Sequence, residues 1–115
     1  MAEASDALFP PTFLQRLEYL RIVSRRAFAG RRRRKASLHV VEIARGSRTH
    51  YHKRLTEIYF VLKGRGRMEA DGRTIALRPM TAVLLEPGCR HRAVGNLRIL
   101  NVVIPGFDPR DEWFD

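Results

Sequence analysis

The sequence predicts an all-β barrel or sandwich preceded by one amphipathic helix. From residue 38 onward, short runs rich in β-branched and aromatic residues alternate with turn residues, a pattern typical of antiparallel sheets. Asp71-Gly72 is a strong two-residue hairpin signal, and Gly64-Arg65-Gly66, Pro87-Gly88 and Gly95-Asn96 are further predicted turns. The predicted strands are 38–43, 48–52, 57–63, 67–70, 73–77, 82–85, 91–94 and 97–104. Their spacing favours a closed or two-layered antiparallel architecture.

The length and composition indicate one small globular domain. The chain has 115 residues, of which 44% are apolar and 30% charged, and single domains commonly have about 100–150 residues. The 22 Lys and Arg against 12 Asp and Glu give a net charge of +10, which attracts anionic partners. A single cysteine cannot form an internal disulfide, so we expect a reducing, cytoplasmic location. The sequence shows neither a signal-peptide pattern nor a run of about 18 apolar residues able to span a bilayer.

The first part of the chain has a pattern of its own. Thr12 follows a proline pair and is a good N-cap, and apolar residues then recur at spacings of three and four over a predicted helix from Phe13 to Phe28. After a glycine stop, the run Arg31–Lys35 repels itself too strongly to pack, so we expect a solvated arm. We therefore predict a basic helical arm at 1–36 and a barrel domain at 37–115.

Two predicted strands are apolar on both faces, which a core on one side alone does not require. Residues 58–62 read Ile-Tyr-Phe-Val-Leu, and residues 97–104 have only two polar interruptions. The outer face of such a strand needs a cover. We expect either the N-terminal helix or a second subunit to supply it, and the second alternative predicts a homodimer.

Three histidines and one glutamate form the candidate functional site. His50 and His52 are two residues apart, so on a strand both imidazoles point to the same face. Glu57 follows after four residues of predicted turn and can fold back beside them, and His91 arrives from a later strand. Three ring nitrogens and a carboxylate suit borderline divalent metals such as iron, manganese, nickel, copper or zinc.

At these residues the chain resembles the cupin superfamily. The first cupin motif has His-x-His, three or four residues, Glu, six residues and Gly, and the chain has His50-Tyr51-His52, then Glu57 and Gly64 at that spacing. Gly88-Cys89-Arg90-His91 keeps the Gly and His of the second motif. The resemblance covers roughly residues 37–106. It implies a small jelly-roll barrel with a metal inside, held by His50, His52, Glu57 and His91.

The chain departs from the cupin motifs at turn positions. Ala44 stands where the first motif begins with Gly, and Met80 and Glu86 stand where the second motif has Gly and Pro. Gly95 stands where the second motif ends in Asn. These differences concern the geometry of loops, because all four ligand positions are kept.

Several further residues are candidates for the pocket. Arg48 shares the strand parity of His50 and His52, and Tyr59 shares that of Glu57, so both are candidate substrate-binding residues for an anionic group. The alternative places Arg48 at the solvated rim and Tyr59 in the core. Cys89 has no base beside it in the sequence and is expected to be a structural loop residue, and His39 an ordinary core or surface histidine. The aromatic tail 107–115 is expected to pack on the barrel or across a dimer, or to close the barrel mouth.

The basic run Arg31–Lys35 does not by itself identify a binding partner. Such a run can bind the phosphates of nucleic acid or sit on an acidic membrane surface. It is more typical of a solvated face, and no aromatic residues are interleaved to stack on bases.

Two functions of different class follow. Four protein ligands leave an octahedral metal two positions for water, substrate or dioxygen. This favours a mononuclear metalloenzyme, dioxygenase-like or isomerase-like, acting on a small oxygenated or anionic metabolite. The alternative is a non-catalytic ligand-sensing module whose basic arm contacts nucleic acid or a protein partner. The cupin superfamily, which the chain resembles, contains both enzymes and non-catalytic binding proteins, and the fold does not decide between these two functions.

Overall fold

The computed structural model describes residues 15–19, 22–27 and 35–115, and within them the regular structure is almost entirely β. All strand pairs are antiparallel, in the order β1-β2-β3-β7-β4-β5, and β6 also pairs with β4. The all-β prediction is confirmed. The elements are β1 (Gln15–Tyr19), β2 (Ile22–Ala27), β3 (Ser37–Ile43), β4 (Thr56–Ala70), β5 (Arg73–Leu77), β6 (Ala82–Leu85), β7 (His91–Ile104) and a 3-10 helix (Pro109–Asp111).

The helix predicted from Phe13 to Phe28 is wrong, because this stretch contains β1 and β2. The two strands pair with each other, and β2 pairs with residues 38–43 of β3. The backbone groups on the free edge of β3 need partners, and a hairpin supplies them where a helix cannot. The local sequence is compatible with strands as well, because polar and apolar residues alternate over 16–19 and Ile22-Val23 is β-branched.

Part of the predicted N-terminal arm lies outside the described residues. This concerns the cap at Thr12 and residues 31–34 of the basic run, whereas Lys35 is described and exposed. The division of the chain into 1–36 and 37–115 stays a prediction. No helix in the described ranges is long and apolar enough to cross a membrane.

The turns predicted at Gly64-Arg65-Gly66 and at Gly95-Asn96 are not turns, because these residues lie inside the long strands β4 and β7. β4 and β7 pair over almost their whole length, with one irregularity between Val61 and Lys63. A Cβ at Gly66 would lie 2.1 Å from the carbonyl oxygen of Val94, and one at Gly64 would lie 2.0 Å from that of Asn96. These glycines therefore let the two backbones approach closely, a use of glycine that a local reading mistakes for a turn. The turns predicted at Asp71-Gly72 and Pro87-Gly88 are confirmed.

The β4–β7 ribbon coils tightly around the core. In its register, Glu57 pairs with Val103 near one end and His91 pairs with Ala70 at the other. A flat ribbon would hold these ends roughly 40 Å apart at about 3.3 Å per residue, yet both Glu57 and His91 reach the same imidazole, that of His52. The interior is filled by apolar side chains, and each large one stabilises the fold by about 1.5–3 kcal/mol. The fully buried ones are Val61, Met68, Leu77, Ile99 and Val103.

Candidate metal centre

The structure brings three histidines together at the mouth of the barrel. His50 and His52 lie in the connection between β3 and β4, where the predicted strand 48–52 is reduced to isolated bridges from His50 to His91 and from Tyr51 to Trp113. His91 opens β7. One ligand atom from each of the three imidazoles lies within 4.8 Å of the others. His50 and His52 thus face the same site, as their spacing of two residues predicts, although the backbone that carries them is not a regular strand.

All three rings are held in the same way, through Nδ1. A carbonyl oxygen can only accept, so each Nδ1 carries the proton, and in the neutral ring Nε2 keeps its lone pair. Hydrogen bonds of this kind orient the histidine ligands of metal sites. The three pairs are His50 with the Arg48 carbonyl at 2.8 Å, His52 with the Asp111 carbonyl at 2.6 Å, and His91 with the Cys89 carbonyl at 2.9 Å.

Glu57 joins the cluster through His52. Its Oε1 lies 2.5 Å from His52 Nε2, and Asn101 Nδ2 donates to its Oε2 at 3.2 Å. Burial, the largest single influence, raises the pKa of Glu57, but His52 together with His91 and His50 outweighs burial and the net pKa is lowered. Burial is also the largest single influence on His52 and lowers its pKa, but Glu57 together with the Asp111 carbonyl and Glu112 outweighs it and the net pKa is raised. A carboxylate and a ring nitrogen this close require a positive species between them, which is either a proton or a cation.

The buried nitrogen atoms fit a metal ion. Nε2 of His52 and of His91 is buried without a hydrogen-bond partner, so the 2.5 Å approach to Glu57 is a charge contact without hydrogen-bond geometry. Burial, followed by the neighbouring His50, lowers the pKa of His91 to about 4, so its lone pair is available at neutral pH. Two imidazole nitrogens on one ion at about 2.1 Å each lie at most about 4.2 Å apart, close to the 4.8 Å within which the three ligand atoms lie here. The described donors are thus compatible with one divalent metal.

Asp111 supports this site and was missed from the sequence. Its buried carboxylate accepts the backbone N–H groups of Lys53, Arg54 and Leu55 at 2.9–3.0 Å, which pins the loop between His52 and Glu57. Its backbone carbonyl orients the His52 ring. The only sequence signal is the Asp-Pro step that begins the 3-10 helix at Pro109–Asp111, and it indicates a turn without revealing what the turn contacts.

Tyr59 and Asn101 extend the polar surface inward from the cluster. The Tyr59 ring packs edge-on against His91 with centroids 6.1 Å apart. Burial, reinforced by the Glu57 carboxylate, raises the pKa of Tyr59 well above its ordinary value, so the phenol stays protonated. Asn101 is buried, and its Oδ1 has no hydrogen-bond partner among the described residues. Tyr59 is therefore beside the candidate site, as its strand parity predicts.

The other predicted pocket residues have different surroundings. The Arg48 side chain is exposed and its guanidinium lies 4.0 Å from the centroid of the Phe114 ring, which places it at the rim. Cys89 is a free cysteine, and burial, followed by Asp71, raises its pKa, which disfavours a nucleophilic thiolate. His39 is buried with Nε2 2.8 Å from Ser37 Oγ, outside the cluster. In the tail, the Phe114 ring centroid lies 6.3 Å from that of His50, at the barrel mouth.

Comparison with known proteins agrees with this geometry. The sequence profile described as "Cupin domain" matches residues 38–103. A crystal structure of a protein from Planctomyces limnophilus is 34% identical, with a TM-score of 0.83 over 92% of this chain and 94% of that one. No curated protein matches the chain.

Two solved enzymes share the fold at lower identity. Streptomyces PAC13, described as a nucleoside dehydratase and solved with uridine, is 19% identical, with a TM-score of 0.80 over 90% of this chain and 85% of that one. Ectoine synthase from P. lautus is 22% identical, with a TM-score of 0.71 over 80% of this chain and 70% of that one. The family profile and the 34% identical relative carry the assignment, and the chain belongs to the cupin family.

Proposed function

We propose that the protein binds one divalent transition metal through His50, His52, Glu57 and His91 and acts as a mononuclear metalloenzyme on a small oxygenated or anionic metabolite. The observation that carries the proposal is the convergence of three imidazoles whose Nδ1 atoms are all occupied by backbone carbonyls. Nε2 of His91 is buried without a hydrogen-bond partner, and Nε2 of His52 is buried with only the Glu57 carboxylate against it, a costly arrangement that a bound cation would relieve.

The chain's own groups have separate roles in this proposal. A bound metal would supply a Lewis acid with open positions for substrate or dioxygen. The protonated phenol of Tyr59 can donate a hydrogen bond to a substrate oxygen, and Asn101 holds Glu57 in place through Oε2. Arg48, at the rim, can orient an anionic group of the substrate.

The solved relatives support a small molecule as the ligand. PAC13 was solved with uridine, and ectoine synthase is named for a small product. At 19% and 22% identity these likenesses show the fold, so the reaction proposed here rests on the site.

Replacing His52 tests the metal assignment. His52→Ala should reduce metal from near one ion per chain to a small fraction, measured by elemental analysis of the purified protein, because the ring connects the histidine cluster to Glu57. His39→Gln is the matched control, since His39 is equally buried but outside the cluster. If both variants keep the metal content of the wild type, the assignment fails.

A second measurement separates catalysis from simple binding. With Mn²⁺ in the site, the relaxation of water protons reports water on the metal. An enzyme of the proposed kind should show exchangeable water that small carboxylates perturb. Relaxation that is unaffected by such carboxylates would indicate a closed, structural metal.

The net charge of +10 and the exposed Lys35 favour the non-catalytic alternative with a basic arm. This alternative requires DNA or protein binding that weakens steeply with salt. A DNA mobility shift that persists after residues 31–35 are neutralised would exclude the arm as its cause.

We also propose a homodimer in the cytoplasm. The free cysteine suits a reducing compartment. The outer face of the sheet is apolar across three strands, and a second copy of the same face would cover it symmetrically. In the observed register Ile58 of β4 pairs with Leu84 of β6 and with Val102 of β7, and Phe60 pairs with Leu100.

A further inference from the structure

A pocket of about 330 Å³ opens beside the histidine cluster and is rich in arginine. Its wall is formed by Arg48, Thr49, His50, Tyr51, Arg90 and Arg92, and Asp115 lies across it. Arg92 already has a carboxylate partner, because its Nε and Nη2 donate to the two carboxylate oxygens of Glu69 at 3.1 Å. The cations that face the pocket are therefore Arg90 and Arg48.

Arg90 is held ready for a two-oxygen anion. Its guanidinium lies 3.6 Å from the centroid of the Tyr51 ring, and Nη1 donates to the Gly88 carbonyl at 3.0 Å. The backbone N–H of Arg90 donates to Asp71 Oδ1 at 2.9 Å. These contacts leave Nε and Nη2 as a fixed fork, the geometry in which arginine binds carboxylates with two parallel hydrogen bonds.

The chain fills this fork with a carboxylate of its own. Arg90 Nε donates to Asp115 Oδ2 and Nη2 to Asp115 Oδ1, both at 3.1 Å. The pair is open to water, with side-chain exposures of 42% for Arg90 and 68% for Asp115. Exposed ion pairs of this kind shift an equilibrium by less than about fivefold. A competing carboxylate can therefore replace Asp115 at little cost.

Arg48 provides a second cation that Asp115 leaves unused. Within the described residues, Arg48 has no carboxylate partner, and its guanidinium covers the ring of Phe114, which directly precedes Asp115. Phe114 in turn faces His50. Displacing Asp115 and Phe114 would uncover Arg48, Arg90 and the outer side of His50 together.

We propose that Arg90 and Arg48 form a subsite for the carboxylate of a small-molecule ligand, and that Asp115 occupies this subsite in the free protein. The proposal rests on the proposed function and deepens it by naming the ligand class. A ligand anchored on Arg90 extends past His50 toward the histidine cluster. Phe114 and Asp115 then act as a displaceable cover, hinged at Trp113, which exchanges backbone hydrogen bonds with Tyr51 at 2.9 and 3.0 Å.

Malonate binding, measured by calorimetry on chelator-treated protein, tests the subsite. Asp115→Asn should bind malonate about two to five times more tightly than the wild type, because the internal competitor is weakened. Arg90→Gln should bind it at least about tenfold more weakly, the usual loss for a charge-assisted pair. The matched control is Arg98→Gln, which breaks an equally exposed Arg–Glu42 pair elsewhere on the sheet and should stay within about twofold of the wild type.

Trp113 provides an independent signal for the cover. It is the single tryptophan of the chain and is partly exposed in the hinge. Saturating malonate should shift its fluorescence, and Asp115→Asn should show part of that shift without malonate. A role of Asp115 limited to surface stability would leave the emission of the wild type unchanged by malonate.

The following results would overturn the proposal. These are absent malonate binding in both wild type and Asp115→Asn, equal affinities for Arg90→Gln and Arg98→Gln, or inorganic phosphate binding as tightly as malonate. Elemental analysis of each variant keeps the two proposals apart. Malonate binding in a protein that never holds metal would sustain the subsite and refute the proposed function.

Discussion

Removal of the Asp111 carboxylate tests how the candidate site is supported. In Asp111→Ala, three backbone N–H groups lose their acceptor, as does the indole N–H of Trp113. Lys53 and Arg54 are exposed, so water can replace the acceptor there, whereas Leu55 is only 3% exposed and cannot recruit water. At about 1.5–3 kcal/mol for each hydrogen bond to a charged group, with the two exposed bonds largely discounted, the free energy of unfolding should fall by about 2–4 kcal/mol.

The assay is thermal unfolding followed by circular dichroism, combined with a metal titration. A loss of about 2–4 kcal/mol corresponds to a fall in Tm of about 8–16 °C for a domain of this size. Metal affinity should fall about 10- to 100-fold, because the loop that carries His52 loses its anchor. Asp111→Asn keeps one oxygen acceptor and should lose about half as much stability.

The Asp111 contribution should also depend on pH. Burial, the largest single influence, raises the pKa of Asp111, but its hydrogen bonds from the backbone of Arg54, Lys53 and Leu55 and from the Trp113 indole together outweigh burial, and the net pKa is lowered. A lowered pKa in the folded state contributes stability above the unfolded pKa of about 4, and this stability is lost as pH falls through the folded value. The difference in stability between wild type and Asp111→Asn should therefore be constant from about pH 8 to 5 and shrink below about pH 4.

Asp108→Asn is the matched control in the same segment. Its carboxylate caps the 3-10 helix through the Arg110 N–H and pairs with the exposed side chain of Arg54, so its loss should cost much less stability than the loss of Asp111. If Asp111→Ala melts within 2 °C of Asp108→Asn, or binds metal like the wild type, then the buried carboxylate does not hold the site as argued, on the scale of about 4 °C per kcal/mol.

Three further predictions concern packing, assembly and metal linkage. Gly66→Ala should cost about 2–4 kcal/mol in a denaturant titration, because its Cβ meets backbone 2.1 Å away; Gly72→Ala, with open space around it, should cost less. Leu84→Glu should convert a dimer to monomers in light scattering, whereas Thr74→Glu on β5 should not, and an unchanged mass in both would refute the apolar interface. A chelator should lower the Tm of the metal-loaded wild type by about 10 °C if free metal exceeds Kd by about 100-fold, and leave His52→Ala unaffected.

The local sequence pattern predicted strands and turns correctly where it fitted only one kind of secondary structure. Runs rich in β-branched and apolar residues, bounded by turn residues, placed β3, β5 and β6 close to their observed bounds, and Asp71-Gly72 forms the expected hairpin turn. The same rules failed at Gly64-Arg65-Gly66, because a glycine required for close approach between strands resembles a glycine required for a turn. They failed again over 13–28, where a helical period and a strand period coexist and pairing with the edge of β3 decides between them.

The candidate site divides in a similar way. Spacing alone grouped His50, His52, Glu57 and His91, and the structure brings these side chains together, while their role as ligands stays a prediction. Asp111 and Arg90 had no comparable signal. Their roles arise from contacts with residues 56 and 25 positions away along the chain, to Leu55 and Asp115. No local period records such a contact.

The amino-acid sequence by itself determined the β character of the chain and the chemistry of four side chains, because strand period, turn geometry and ligand type are properties of short segments. Only the tertiary structure decided how tightly the β4–β7 ribbon coils, that β1 and β2 pair with each other, and that the tail orients His52 and pairs Asp115 with Arg90. These features depend on which strand edges and buried charged groups, far apart in the sequence, find partners in the folded chain. Such pairing is decided by the fold as a whole and not by any short segment.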